Sequence, residues 1–302
     1  MTMAMAGQRH RMNRAMNYAR ANVGEDLDLH RLADIACLSK YHFLRAFRDH
    51  FHETPIQFLQ RIRLEHAASQ LVYYPEARIT DVALDSGFRS TEYFSRAFRS
   101  RFGVAPRSFK ASNRWCFDTF RRANPLKHEV YIPPARLRQS DIKTFRVRTE
   151  YRPAQRIAYI RHLGPFGDVG DSITRTFDAL QRWARQRGLP LRDASYIGVC
   201  SGNVNITPAH LCLYDAGLFV RDDIGEDETV SVRVIPEGWY ATLHVQCPPE
   251  ALNSRWQWLT ATWLPASGWR MAFRPCYELF RLEEGQRVRS EFGARLCLAV
   301  TR

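Results

Sequence analysis

Ile79-Thr80-Asp81-Val82-Ala83-Leu84-Asp85-Ser86-Gly87-Phe88-Arg89-Ser90-Thr91-Glu92-Tyr93-Phe94-Ser95-Arg96-Ala97-Phe98-Arg99 reads as two short helices joined by a tight turn. Ile79–Leu84 makes the first helix. Ala83 falls where the helices cross, a place that admits only a small side chain, and Gly87 takes the turn position that needs positive φ. The same design stands earlier in the chain. Leu29–Ile35 turns Leu29, Leu32, Ala33 and Ile35 inward, a turn follows at 36–38, and Ser39 caps a second helix with Phe43, Ala46 and Phe47 on its core side. Cys37 occupies the first copy's turn position, at a cost of about 1 kcal/mol for a left-handed residue other than glycine. Arg45-Ala46-Phe47-Arg48 returns as Arg96-Ala97-Phe98-Arg99, and Phe51, Pro55 and Phe58 return as Phe102, Pro106 and Phe109. A duplicated helix-turn-helix is therefore the predicted architecture of the first third.

Subtracting the core side of each second helix leaves the residues that point outward. They are Lys40, Tyr41, Leu44, Arg45 and Arg48 in the first copy, and Thr91, Glu92, Ser95, Arg96 and Arg99 in the second. A second helix of this motif lies in a DNA major groove, and arginine is the natural bidentate partner of guanine. Arg45 and Arg96 are thus the expected base readers, with Arg48, Arg99, Arg101 and Lys110 on phosphates. A lone basic helix face is ordinarily just a solvated surface; the repetition of the whole string, each time after a turn, weighs against that here.

Charge agrees. The 302-residue chain carries a formal +13, and residues 1–128 hold 21 Lys and Arg against 12 Asp and Glu, so the excess concentrates in the first domain. No run approaches the ~18 apolar residues of a membrane span. The first sixteen residues contain no apolar core of a secretory signal, so a cytoplasmic protein without membrane contact is expected. Seven cysteines, at 37, 116, 200, 212, 247, 276 and 297, form no Cys-x-x-Cys and no zinc-ligand spacing. They read as free thiols, and no metal, cofactor or catalytic residue is expected.

Residues 9–112 form the predicted helical domain, with a joining helix from Pro55 behind the cap Thr54. Residues 113–145, rich in proline and charge, read as a linker with one short helix over 115–122. Residues 146–302 change to an α+β pattern. Strand-like runs fall at 157–162, 195–200, 211–220, 239–245, 277–282 and 295–300, and helical stretches at 169–187 and 250–264. The strand-helix-strand-strand order repeats, and Trp183 and Gly188 recur as Trp263 and Gly268.

On the residues quoted above, with Ser39-Lys40-Tyr41-His42-Phe43, Ser86-Gly87-Phe88, Tyr93-Phe94-Ser95-Arg96-Ala97-Phe98 and Phe102-Gly103…Pro106, residues 9–110 resemble the AraC/XylS family of transcription regulators. The resemblance implies two small domains on a rigid helix over 55–73. At a spacing of roughly 34 Å a single chain could read two successive grooves of double-stranded DNA as a monomer. It also implies RNA polymerase as a partner. Residues 145–301 resemble the GyrI-like domain through Ala158-Tyr159-Ile160-Arg161-His162-Leu163-Gly164-Pro165-Phe166, Cys212…Tyr214-Asp215-Ala216, Ile235-Pro236-Glu237-Gly238-Trp239-Tyr240-Ala241 and Pro275…Tyr277-Glu278-Leu279-Phe280. This implies two strand-helix-strand-strand modules in a cupped sheet. A groove between them would take amphipathic, often cationic, small molecules beside a carboxylate at Glu278, a multidrug-sensing arrangement. The chemistry is coherent, since a lipophilic cation needs aromatic walls and one carboxylate. Tyr159, Trp239, Tyr240, Trp256 and Phe280 are the candidate walls. Glu278 lies in an apolar strand, where an acid is costly unless used or paired, and Arg274 is its alternative ion-pair partner. Two other readings stay open. One is hydrolysis of a small electrophile, with Glu278 and Tyr159 or Tyr240 activating water; the other is a docking module without ligand.

Overall fold

A computed structural model describes residues 3–74, 76–111, 142, 145–164, 171–192, 194–202, 206–248, 251–281 and 292–302. The short helix expected over 115–122, most of the linker and Cys116 lie outside the described residues. The chain divides into two compact units: a helical one that also contains Gly202–Leu211, and one built on a sheet.

The helical unit begins with α1 (Met3–Ala21) and then follows the duplicated pattern. In the first copy, α2 (Leu29–Ile35) starts at Asp28, whose Oδ1 accepts from the Arg31 amide at 2.8 Å, and α3 (Lys40–Phe51) starts at the cap Ser39. Cys37 does sit in the left-handed region, at φ 51°. The joining helix α4 (Pro55–Tyr73) opens with a full capping box, in which Thr54 Oγ1 accepts from the Gln57 amide and Gln57 Oε1 accepts from the Thr54 amide. The second copy is α5 (Ile79–Asp85) and α6 (Thr91–Phe102, capped by Ser90), with Gly87 at φ 77° in the turn. The short α7 (Pro106–Ala111) follows.

Each copy has its own aromatic core. In the first, Phe47 packs against Phe43, Phe51 and Phe58 at ring distances of 5.5, 4.8 and 5.4 Å. Helix α1 covers this copy with Met12, Ala15, Met16 and Ala19, all buried, and packs on α2 and α3. In the second, Phe94, Phe98 and Phe102 pack with Leu64 and Leu71 of α4 and with Val82, and Ile206 belongs to the same core. Burying each such ring contributes roughly 2–3 kcal/mol, so these rows fix how every second helix is rotated about its axis.

The sheet unit is antiparallel throughout its pairings, in the order β1-β6-β9-β8-β3-β4-β2-β5, with β7 beside β9. Its strands are β1 (Val147–Arg152), β2 (Gln155–Leu163), β3 (Ser195–Ser201), β4 (Leu213–Phe219), β5 (Ser231–Ile235), β6 (Gly238–Cys247), β7 (Arg270–Met271), β8 (Tyr277–Arg281) and β9 (Phe292–Thr301). Helix α8 (Asp171–Gln186) lies between β2 and β3 in the chain. Helix α9 (Leu252–Trp258), continued by a π-helical turn over Leu259–Trp263, lies between β6 and β8. The two strand-helix-strand-strand modules expected from the sequence are β2-α8-β3-β4 and β6-α9-β8-β9, and they meet where β3 pairs with β8.

Three strands absent from the sequence reading are β1, β5 and β7. The first two are the sheet's edges; both are short, and β1 carries the charges by which an edge avoids pairing with other chains.

Candidate nucleic-acid interface and ligand site

The residues expected to face DNA are all at the surface or partly so. Lys40, Tyr41, Arg45 and Arg48 are exposed and Leu44 is half-buried; Glu92, Arg96 and Arg99 are exposed, while Thr91 and Ser95 are half-buried. Tyr41 is 82% exposed, which leaves its ring and hydroxyl open to a partner. Among the described residues Arg45 has no hydrogen-bond or ion-pair partner, which leaves its fork of donors available. Glu92 differs from the rest. Its Oε2 accepts from the Ser90 hydroxyl at 2.7 Å, and this bond at the start of α6 holds its carboxyl below the usual range. An ionised carboxylate there can accept from a cytosine amino group but repels phosphate.

Two cations expected on phosphates are engaged elsewhere. Arg101 donates from Nη2 to the Ile206 carbonyl at 2.9 Å, and Lys110 donates from Nζ to the Ala77 carbonyl at 2.6 Å. Both cap backbone acceptors that the short helices and turns leave unmatched. Repetition alone does not separate these cations from Arg48 and Arg99.

In the sheet unit, Glu278 sits on β8 opposite Gly198 of β3, at the seam of the two modules. It is partly buried. Trp256 of α9 donates from Nε1 to Glu278 Oε1 at 2.8 Å, and the Tyr214 hydroxyl of β4 donates to Oε2 at 3.2 Å. Tyr214 reaches across β3 because Gly198 has no side chain: a Cβ there would lie 1.8 Å from the Tyr214 hydroxyl and 3.3 Å from Glu278 Oε2. Burial pushes the Glu278 carboxyl up, and the two hydrogen bonds pull it partly back. Burial and the adjacent carboxylate hold the Tyr214 phenol well above its ordinary value, so it remains a neutral donor. Among the described residues no cation pairs with Glu278.

The alternative pairing with Arg274 does not form. Arg274 donates instead to the carbonyls of Trp239 at 3.2 Å and Val300 at 3.1 Å, and its guanidinium lies over the Tyr240 ring.

The proposed aromatic walls divide. Trp256 touches the carboxylate. Phe280, two residues along β8 on the same face, stacks on Tyr196 at 6.3 Å and meets Phe177 of α8 at 5.1 Å. Tyr159 and Tyr240 do not join them. Tyr159 pairs in register with Gly217, the neighbour of Ala216, and strand alternation turns it to the opposite face. There it packs in a core with Tyr240, Tyr277 and Cys297. Arg161 and Arg233 lie over its ring at 5.2 and 5.3 Å while both pair with Asp215. Trp239 is 43% exposed at the β1 side of the sheet, where its ring neighbours are Tyr151 and Trp269. Tyr214, quoted in the family motif but not taken as a site residue, is the tyrosine that the fold delivers. The signal that could have found it is the pairing of a strand glycine with a strand acid, which needs the β3–β8 register.

Among the described residues no helix is long and apolar enough to cross a membrane, and no group of three His, Cys, Asp or Glu could hold a metal ion.

Comparison with known proteins gives two domain matches. A helix-turn-helix domain model matches residues 32–112, and the model of the GyrI-like small molecule binding domain matches residues 145–300. The HTH-type transcriptional regulator GbdR of Pseudomonas aeruginosa is 36% identical over 38% of this chain and 28% of its own length. The uncharacterized HTH-type transcriptional regulator YdeC of Bacillus subtilis is 29% identical over 34% of this chain and 35% of its own. The chain thus spans about a third of the length of these two relatives. Among solved structures, the C-terminal domain of EcmrR is 13% identical, covering 53% of this chain and 99% of that one, at a TM-score of 0.40.

Proposed function

The chain belongs to the GyrI-like small molecule binding domain family through residues 145–300 and carries an AraC-type helix-turn-helix domain at residues 32–112, and from these two facts we propose that it is a cytoplasmic, ligand-modulated transcription regulator. In this reading α3 and α6 enter successive major grooves of double-stranded DNA, with Arg45 and Arg96 on base edges and Arg48 and Arg99 on phosphates. A single chain occupies its site and works on RNA polymerase. Residues 9–112 act as the DNA-binding domain and 146–302 as the sensor, joined by 113–145.

The observation that carries the sensing half is Glu278. A partly buried carboxylate with an indole and a phenol on its two oxygens, and no cation beside it among the described residues, is the arrangement a protonated or quaternary amphiphile completes. The ligand's charge would meet Glu278 and its apolar body would lie toward Trp256 and Phe280.

The test is direct. Tetraphenylphosphonium titrated into the full chain should quench tryptophan fluorescence saturably. The isosteric anion tetraphenylborate should not, and Glu278→Gln should abolish the response. Binding of both ions with equal strength would remove the electrostatic basis. The same titration repeated at falling pH should show affinity declining as the raised Glu278 carboxyl takes up its proton. For the DNA half, Arg96→Ala should cost ~1–3 kcal/mol on the cognate duplex and relax preference at one base pair. Footprinting should show protection over about two helical turns with a steep salt dependence. Unaltered affinity and preference in Arg96→Ala would remove Arg96 from the reading set.

One observation favours a second reading. Glu278 and the Tyr214 hydroxyl form a carboxyl–phenol pair able to shuttle a proton, so turnover of a small electrophile by the isolated activity of this site is the competing outcome. Product formation lost in Glu278→Gln would establish it.

A further inference from the structure

The connection between β3 and β4 behaves unlike an ordinary hairpin. Strand β3 ends at Ser201 and β4 begins at Leu213, yet Gly202–Leu211 belongs to the helical unit. Ile206 is 4% exposed, inside the core formed by α4, α5 and α6. Thr207 and Pro208 are buried too. The Ile206 carbonyl accepts the Nη2 donor of Arg101, which stands on α6, the helix that carries Arg96. A buried apolar side chain and a hydrogen bond to a guanidinium thus fasten this segment to the second helix-turn-helix.

The same segment is short-coupled to Glu278. Gly198 stands three residues before the end of β3. Tyr214 is the second residue of β4. These are the two positions whose fit, hydroxyl against bare backbone, lets Tyr214 reach the carboxylate. An occupant of Glu278 that displaces the Tyr214 hydroxyl from its place over Gly198 acts on both of these positions. Both positions lie close to the connection from β3 to β4, the segment that bears Ile206.

We propose that Ile206–Leu211 is the arm through which occupancy of the Glu278 site alters α6, with Ile206 and Arg101 as the coupling residues. The inference rests on the sensing role proposed above, and it identifies the second copy, not the first, as the regulated one. Arg101 is in this account a positioning residue for α6 and not a phosphate ligand. Ligand binding that loosens or tightens Ile206 in its core changes how firmly α6 is held, and so changes DNA affinity with no direct contact between ligand and DNA.

The test is a double-mutant cycle that needs no ligand. DNA affinity of the full chain is measured by fluorescence anisotropy on a duplex selected in vitro for this protein. Gly198→Ala, which forces the Tyr214 hydroxyl away, stands in for an occupant. It should change the DNA dissociation constant about fivefold or more. Arg101→Gln, or Ile206→Ala as an independent second cut, should reduce that change to less than twofold when combined with Gly198→Ala. Tyr214→Phe provides a milder perturbation of the same site if Gly198→Ala does not fold, as judged by circular dichroism and thermal melting. Purely multiplicative effects in these cycles, or no effect of either site variant on DNA affinity, would overturn the proposal. Tetraphenylphosphonium binding is read separately by fluorescence. A chain that ignores the cation but shows coupling in the cycle loses the sensing reading and keeps the arm; the converse result loses the arm alone.

Discussion

The two helix-turn-helix copies share a pattern and differ in what holds them. In the second, both positions that need left-handed backbone carry glycine, Gly87 at φ 77° and Gly103 at φ 74°. In the first, the equivalent positions are Cys37 at φ 51° and His52 at φ 59°. The first copy makes the poorer local choices and is held by tertiary structure. Helix α1 covers it, and Arg61 of α4 pairs with both Glu53 and Glu65 in a buried triad. The second copy is locally better formed, and among the described residues it has no counterpart of α1. Its core is completed by Ile206, brought from the far part of the chain. The copy with the better local choices is thus the one whose core includes a residue from outside the helical sequence.

The triad offers the sharpest way to break this comparison. Burial and its two carboxylate partners act oppositely on Arg61, and the carboxylates win, so its guanidinium stays charged. Arg61→Met removes the cation and leaves Glu53 and Glu65 buried and facing one another, which should cost about 3–5 kcal/mol. Urea denaturation should show the loss. Amide exchange should place the faster opening in α2 and α3, with α5 and α6 lagging. Equal acceleration in both copies would mean that α4 transmits the damage and the copies are not separately supported.

The second copy has its own liability, in acid. His66 of α4 places Nδ1 3.1 Å from the Ser86 hydroxyl oxygen in the second turn, and burial holds its pKa down at about 4. The folded form therefore carries the neutral ring, while the unfolded ring titrates near 6.5. The unfolded state binds the extra proton, so stability is complete above about pH 6.5 and falls as pH drops toward 4. The loss amounts to roughly 2 kcal/mol at pH 5. His66→Gln should flatten this dependence, measured as urea midpoints at pH 7 and pH 5. An unchanged slope would locate the acid sensitivity elsewhere in the chain.

The contrast also explains what could be read before any coordinates. The helix boundaries at Leu29–Ile35 and Pro55–Tyr73 follow from local signals, namely a cap, a proline at the first turn and a period of hydrophobic residues, and these are fixed within a few residues of each other. Duplication then tested each signal twice. The Glu278 site had no such support. Glu278 and Trp256 were legible as an acid out of place and an aromatic on a nearby helical stretch. Tyr214 was not, because it meets Glu278 only across an intervening strand with a glycine at one register position. Tyr159 and Tyr240, expected as walls beside Glu278, lie on the other face for the same reason: alternation within a strand is visible, but the phase between strands is set by pairing. Strand β1 escaped because its three charged residues break the apolar pattern, and β5 because it is only five residues long. The departure of Gly202–Leu211 from the sheet unit leaves no local mark at all.

The smallest effect discriminates best between the two turns. Replacing Cys37 by glycine relieves a left-handed residue, worth about 1 kcal/mol, but gives back part of it as extra freedom in the unfolded chain, so a net gain of roughly 0.5 kcal/mol is expected. The reverse change is not its mirror image. A Cβ on Gly87 would lie 2.7 Å from the Val23 carbonyl oxygen and 2.7 Å from Arg63 Nε, and Arg63 in turn donates to the Val23 and Glu25 carbonyls. Gly87→Cys must therefore push back the loop after α1 as well as strain its own backbone, and should lose more than Cys37→Gly gains, by about 1–2 kcal/mol. Thermal melting of both variants measures the difference. Equal and opposite shifts would show that backbone dihedral strain alone separates the two turns, and that the close approach at Gly87 is relieved at no cost.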